Sequence, residues 1–365
     1  MDLTCEGMRW LAALAAIAVP LAGCASGPVS EHRSVPPSGS SATRGRVGRI
    51  LSAVAAVSPS LAWAVGGDSS GVLIERWNGA AWQPSRVPRI GSGSTLTSVT
   101  AVSASDAWAA GTDGAGRPLI LHWNGTAWTR TASPDPSPGI RLLAIAASPD
   151  AAWAVGGFPG GYCGYTTAFI AAWNGTAWQR QASRADGPLA AVTARSASQA
   201  WAVGGCLSTM IFRHSASGWA RIPSPDPAGG GPDAGSFLDG IAATSARDAW
   251  AVGAIAGTRA GPLILHWNGT RWNQAPSPPA RGQLHAVAAT SAASAWAAGL
   301  TVARSGTVSL LLHWNGIRWS RVPCPGTSLT GLTATTAGST WAVGTTSGGP
   351  LILHWNGTRW EQQPL

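Results

Sequence analysis

The stretch Leu119-Ile120-Leu121-His122-Trp123-Asn124-Gly125-Thr126-Ala127-Trp128 decides the fold. Asn-Gly between strand-forming residues is a strong hairpin signal, because a two-residue type I′ turn needs positive φ at both central positions. On such a turn Trp123 pairs with Thr126, and Trp128 stands opposite Leu121. Both tryptophans then share a face with Leu119 and Leu121, while Ile120, His122 and Ala127 take the other. The same spacing recurs at Trp77/Trp82, Trp173/Trp178, Trp267/Trp272, Trp314/Trp319 and Trp355/Trp360. This is a repeat protein.

A second mark, Trp-Ala-(Val/Ala)-Gly, occurs seven times, at Trp63, Trp108, Trp153, Trp201, Trp250, Trp296 and Trp341. Twelve residues before it stands a leucine in six repeats, and nine before it a branched aliphatic. Of 21 tryptophans only Trp10 falls outside the pattern. Each repeat therefore reads as four short strands: Leu-x-x-Val-x-Ala, then Trp-Ala-Val-Gly, then Leu-Ile-Leu-His-Trp, then a last strand carrying the second hairpin tryptophan. The glycines, β-branched residues and period-2 patterns exclude a repeat of paired helices. Four strands per unit and seven units predict an all-β, seven-bladed β-propeller over residues 50–365. No strand is exchanged between first and last repeats, so closure is expected to rest on packing of blade 1 against blade 7, with 47–50 a possible addition to the last blade.

Loop lengths predict the working face. First-to-second and third-to-fourth turns are short and uniform; second-to-third and fourth-to-first connections are long and variable, as in 156–167 and 224–236. Alternate connections of a blade emerge at opposite ends, so all variable loops crowd one face, and loops on a rigid scaffold carry function.

The chain opens differently. Residues 10–21 are apolar, too short to span a bilayer, and end in Leu21-Ala22-Gly23-Cys24. That tetrapeptide resembles a bacterial lipobox, which implies a signal peptide over 1–23, diacylation of Cys24 and an extracytoplasmic protein held to the membrane by its lipid alone, with simple secretion as the alternative. Asp2 and Glu6 suit an n-region poorly, and a start at Met8 reads better. Residues 24–49 are Ser, Pro, Gly and Arg with almost no large apolar side chain, a flexible tether.

Composition closes some functions. There is no lysine, which rules out lysine nucleophiles and Schiff bases, and the net charge of +9 comes from arginine. No basic stripe or recognition helix accompanies it, so nucleic acid is not an expected partner.

The pattern Trp-Ala-Val-Gly … Leu-Ile-x-x-Trp-Asn-Gly-Thr-x-Trp resembles the Asp-box propellers (sialidase-like and photosystem II assembly factor-like). It is closer still to secreted tryptophan-rich repeat proteins of high-GC Gram-positive bacteria. Asn stands where the Asp-box has its aspartate. The hairpins are also similar to those of fucose-binding propeller lectins, but the lectin arginine is absent, and Glu75 is the only third-strand glutamate. The resemblance implies the fold and leaves the activity open.

For chemistry, His122, His266, His313 and His354 hold one repeat position in different blades and cannot converge on one metal. Arg271, Arg318 and Arg359 are the expected cross-strand partners of the last three. The pairs His266/Arg271, His313/Arg318 and His354/Arg359 thus form a possible anion strip, against a plain solvated edge. Asp106, Asp150 and Asp248 read as turn residues bonding the backbone. Asp68, Asp113, Asp186, Asp226, Asp233 and Asp239 lie in or near the variable connections, and a glycosidase pair would come from these. No Ser-His-Asp motif, phosphate loop, metal signature or cofactor motif is present, and no catalytic residue is assigned. Cys163 and Cys206 lie in the second-to-third loops of adjacent blades, a candidate disulfide in an oxidising compartment, with Cys324 left free. Phe158, Tyr162 and Tyr165, with Asp113 and Asp233, are the expected ligand contacts on the loop face. The sequence reading is a monomeric, non-catalytic binding or assembly module for an envelope protein or glycan. A glycan-acting hydrolase or lyase at the channel mouth is the alternative.

Overall fold

In the computed structural model each repeat forms one antiparallel sheet of four strands in sequence order, and seven such sheets make a seven-bladed β-propeller. The structure describes residues 48–365 except 161–164, 184 and 229–234, with the side chains of residues 165 and 166 also outside the description. The leader, tether and Cys24 lie outside the described residues. Blade 2 shows the pattern: Thr95–Ser103 innermost, then Asp106–Thr112, Pro118–Trp123 and Trp128–Thr131.

The hairpin that reveals the repeat has a different register from the one its Asn-Gly predicts. Trp123 pairs directly with Trp128 and Leu121 with Arg130, so the loop holds four residues rather than two. Asn124 works through its side chain: Oδ1 accepts from Thr126 N–H, Ala127 N–H and the Thr126 hydroxyl at 2.8–3.0 Å. Gly125 follows at φ 94°, where a Cβ would be strained. Asx geometry, not a type I′ turn, therefore closes the hairpin. The faces survive this change, because Leu119, Leu121, Trp123 and Trp128 still share one core and Ile120 the opposite one.

Those faces are the interfaces between blades. Trp63 of blade 1 lies 4.9 Å from Trp123 and 5.3 Å from Trp128 of blade 2, tilted to one and edge-on to the other. The same triad joins blades 2 to 3, 4 to 5, 5 to 6, 6 to 7 and 7 to 1. Tilted and edge-on contacts are the favoured aromatic geometries, adding about 1 kcal/mol per pair beyond burial. Each second-strand tryptophan is buried. The repeat of tryptophans is thus a ring of intersheet clamps.

Ring closure follows the packing expectation. Blade 1 and blade 7 each contain four consecutive strands, and Trp341 meets Trp77 and Trp82 across the seam at 5.1 and 5.2 Å. The Thr330 hydroxyl donates to Leu51 C=O at 3.1 Å, and Ala56 N–H donates to Thr333 Oγ1 at 3.3 Å. Within blade 1, Arg49 makes a buried ion pair with Glu75 at 2.5 Å. Glu75 takes the place that Leu121 fills in blade 2, and burial pushes its carboxyl above the usual range against the pull of Arg49.

The final residue of Trp-Ala-Val-Gly has one physical cause. Every first strand carries a bulge one residue after its leading leucine, for example at Ser52 and Thr97. The bulge brings a first-strand carbonyl under the facing glycine. A Cβ on Gly66 would lie 1.9 Å from Ile50 O, and one on Gly111 2.0 Å from Thr95 O. Only glycine fits there, in all seven blades.

Candidate functional site at the channel mouth

The seven first strands surround a central channel of about 440 Å³. Its wall is mostly Ala, Ser, Thr and Val, and the bulges set what else enters. Bulged residues leave the ladder and re-aim their side chains. Here they are Ser52, Thr97, Leu143, Ala190, Asp239, His285 and Thr330, one per blade, all lining the channel. They lie at the start of the first strands, the end from which the variable connections emerge.

The threonines at this level serve the ring. Thr97 and Thr330 donate to Leu142 and Leu51 of the next blade at 2.8 and 3.1 Å. Asp239 and His285, in neighbouring blades, differ. The Asp239 Oδ2 lies 3.6 Å from His285 Nδ1, an electrostatic contact longer than a hydrogen bond. His285 Nε2 lies 3.2 Å from Gln283 Nε2. Gln283 is buried, and its Oε1 has no partner among the described residues. For a neutral imidazole this is the consistent arrangement. Nδ1–H faces the carboxylate, and Nε2 accepts from the amide. Among the channel-lining residues Asp239 is the only carboxylate and His285 the only other titratable group. Asp239 and His285 thus give this end of the channel a carboxylate and an imidazole able to make hydrogen bonds.

The expected loop contacts are distributed differently. Phe158 is half-buried, edge-on to Phe169 at 5.9 Å with Arg180 5.0 Å above its ring, so it belongs to the core between blades 2 and 3. Tyr162, Cys163 and Asp233 lie outside the described residues, as does the side chain of Tyr165. Cys206 is disulfide-bonded; Cys324 is free, and burial pushes its thiol up to about 11. Asp113 accepts from Ala115 N–H, Arg117 N–H and Arg130 at 2.8–3.1 Å. Burial works to raise its pKa, but these bonds outweigh it and hold the carboxyl below the usual range. Asp113 is thus held by its own loop.

The His/Arg pairing behind the anion strip does not form. With four-residue loops the register places Asn273 opposite His266, Ser320 opposite His313 and Glu361 opposite His354. Arg271, Arg318 and Arg359 sit exposed in the loops themselves, and Arg359 pairs with Glu361 at 2.7 Å. The histidines stack instead on the second-strand tryptophans of their own blades. His122, His266 and His354 lie 3.9, 4.2 and 4.0 Å from Trp108, Trp250 and Trp341, and His313 lies tilted 4.2 Å from Trp296. In blades 1 and 4 Arg76 and Arg213 take that role, each 5.1 Å over its tryptophan, an ordinary cation–π distance.

Asp106 and Asp248 also differ from expectation. They bond His122 and His266 Nε2 at 2.9 and 2.7 Å, and Asp248 takes a further bond from the Thr244 hydroxyl. Serines supply the turn acceptors, as where Ser105 N–H donates to Ser103 Oγ. Asp150 bonds the Ser148 hydroxyl at 2.6 Å and Ala197 N–H of the next blade at 3.0 Å.

The channel site was missed in the sequence because a bulge leaves no mark on its own strand. Its signal lies on the facing strand, in the glycine of Trp-Ala-Val-Gly.

The chain matches no protein-family model and no curated protein sequence. Its fold is similar to many solved structures. YCF48 bound to a D1 peptide shares 15% identity at TM-score 0.57, over 85% of this chain and 94% of that one. YCF48 from Cyanidioschyzon merolae shares 17% at TM-score 0.54, over 78% and 89%. A GH74 xyloglucanase from Xanthomonas campestris shares 15% at TM-score 0.57, over 86% of this chain and 53% of that one. At these identities the likeness is one of fold.

Proposed function

We propose that this propeller is a binding module that holds a protein or peptide ligand on its variable-loop face, over the channel mouth. The observation that carries the reading is the mouth itself. A cavity of about 440 Å³ runs between the first strands, and at their variable-loop end bulges set Asp239 and His285 into its wall. Pockets with a few convergent polar groups on a small-residue wall suit ligand recognition. That YCF48, of similar fold, has been described with a peptide bound supports a polypeptide as the ligand class. The glycan alternative remains the runner-up. Hydrolysis would need two carboxyls facing one space. Of the described loop carboxylates, Asp68, Asp113 and Asp135 are instead engaged by their own loops or rim arginines, and Asp239 is the one carboxylate lining the channel.

The leader completes the proposal: diacylated Cys24 and the 24–49 tether would present the propeller outside the membrane. Two acyl chains give a stable anchor. The test is binding of the purified chain to a peptide array and a glycan array, comparing wild type with Asp239→Asn and His285→Ala. Saturable peptide binding weakened by both variants is the expected result. Sugar binding indifferent to them would overturn the site, and silence on both arrays would overturn the function. For the anchor, Cys24→Ala should release the chain from membranes.

A further inference from the structure

The loop face distributes its charges unevenly. Its acids are largely consumed by the fold. Asp68 accepts from Ser70 and Gly71, and its carboxyl lies below the usual range chiefly through the Ser70 hydroxyl. Asp113, Asp135 and Asp186 pair with the fourth-strand arginines Arg130, Arg180 and Arg221 on the outer rim, at 2.8, 3.7 and 3.9 Å. The arginines of the loops have no such partners. Arg86, Arg89, Arg117, Arg259, Arg281 and Arg304 stand in variable connections, and Arg141 opens the first strand of blade 3. All seven are exposed, and none has an ion-pair partner among the described residues. Against them, among the described residues, remain Asp226 and Asp239, both half-buried.

The face also carries apolar anchors. Of the three large hydrophobic side chains that are well exposed among the described residues, two are here: Leu207 in the second-to-third loop of blade 4, 44% exposed, and Val302 at the loop end of the second strand of blade 6, 52% exposed. Unpaired arginine forks match carboxylates bidentately, and specific protein interfaces add apolar contacts to that charge.

We infer that the loop face docks an acidic polypeptide segment, its carboxylates on the loop arginines and its apolar side chains on Leu207 and Val302. This rests on the loop face being the binding face and adds the partner's chemistry. Complementary charge of this kind acts mainly on association rate and makes binding salt-dependent.

The test uses the purified chain and three synthetic peptides of equal length, built on one Gly/Leu framework with glutamate, serine or lysine at the remaining positions. Fluorescence anisotropy should show the glutamate peptide binding at least about tenfold tighter than the serine one, with the advantage falling steeply as salt is raised. Two charge reversals, Arg117→Glu with Arg141→Glu and Arg281→Glu with Arg304→Glu, should each weaken the glutamate peptide about tenfold. Reversal of Arg271 and Arg318 to glutamate, on the opposite face, should leave it unchanged and controls for net charge. Equal, salt-indifferent binding of all three peptides overturns the acidic partner but keeps the binding face. Binding that follows the Arg271/Arg318 reversal overturns the face itself. Equally tight, arginine-dependent binding to phosphatidylglycerol vesicles overturns a polypeptide partner in favour of an anionic surface.

Discussion

Two seams of the ring use the same tryptophan clamp with different completeness. Between blades 7 and 1, Trp341 is fully buried against Trp77 and Trp82, and the Arg49–Glu75 pair stands beside them. Between blades 3 and 4, His214 replaces the first hairpin tryptophan. Trp153 then has His214 at 5.4 Å and Trp219 at 6.4 Å, a looser edge contact than the 5.1–5.4 Å of the complete triads. His214 keeps the tryptophan's strand position, paired with Trp219, but brings a buried Nδ1 with no partner among the described residues. The seam that must close the ring without a connecting loop is the better packed. The seam between consecutive blades, already joined by the chain, tolerates the poorer clamp.

The largest expected effect tests that contrast directly. Trp341→Ala should cost about 3–5 kcal/mol, the usual price of removing a large buried aromatic. Trp153→Ala should cost about 1 kcal/mol less, because fewer aromatic contacts go with it. Urea unfolding of both variants measures the difference, and equal losses would mean that the clamps are not what distinguishes the seams.

Next comes the ion pair. Arg49→Ala leaves a buried carboxylate unpaired and should cost up to about 3 kcal/mol. Glu75→Leu, which installs the residue blade 2 uses, should stay within about 1 kcal/mol of wild type. If Glu75→Leu is as damaging as Arg49→Ala, the pair holds blade 1 together in a way packing cannot replace.

His214→Trp should sharpen the comparison from the other side. It completes the seventh clamp and removes a buried polar ring, for an expected gain of about 1 kcal/mol. Thermal unfolding of the variant reads this, and a loss would show that blade 4 has repacked around the smaller ring.

The smallest effect is on pH. Burial lowers the pKa of His214, and likewise those of His313 and His354, from an ordinary 6.5. The unfolded chain therefore takes up protons on these groups before the folded chain does, and stability falls as pH drops below about 6.5. Urea midpoints from about pH 7.5 to about pH 5 should show the decline, smaller in His214→Trp.

Much of this architecture is legible in the chain. Trp123 and Trp128 share a face because apolar residues at alternate positions must be buried together, whichever turn joins them. What the sequence did not reveal was the register. Asn-Gly fits a two-residue turn, but Asn124 can also bond two backbone N–H groups of a longer loop. Direct Trp123–Trp128 pairing then brings both indoles onto Trp63. That choice moved Arg271 and Arg318 out of line with their histidines and so removed the strip expected from them.

The sequence by itself determined the number of blades, the four strands in each and which end carries the variable loops. These follow from hydrophobic period and loop length, which are local properties. Only the tertiary structure decided how the tryptophans from adjacent blades meet, that each first strand bulges, and that Asp239 and His285 face each other across a blade boundary at the mouth of the channel. The two are 46 residues apart in the chain. A juxtaposition across that distance depends on the curvature of the ring, to which every blade contributes and which no single stretch encodes.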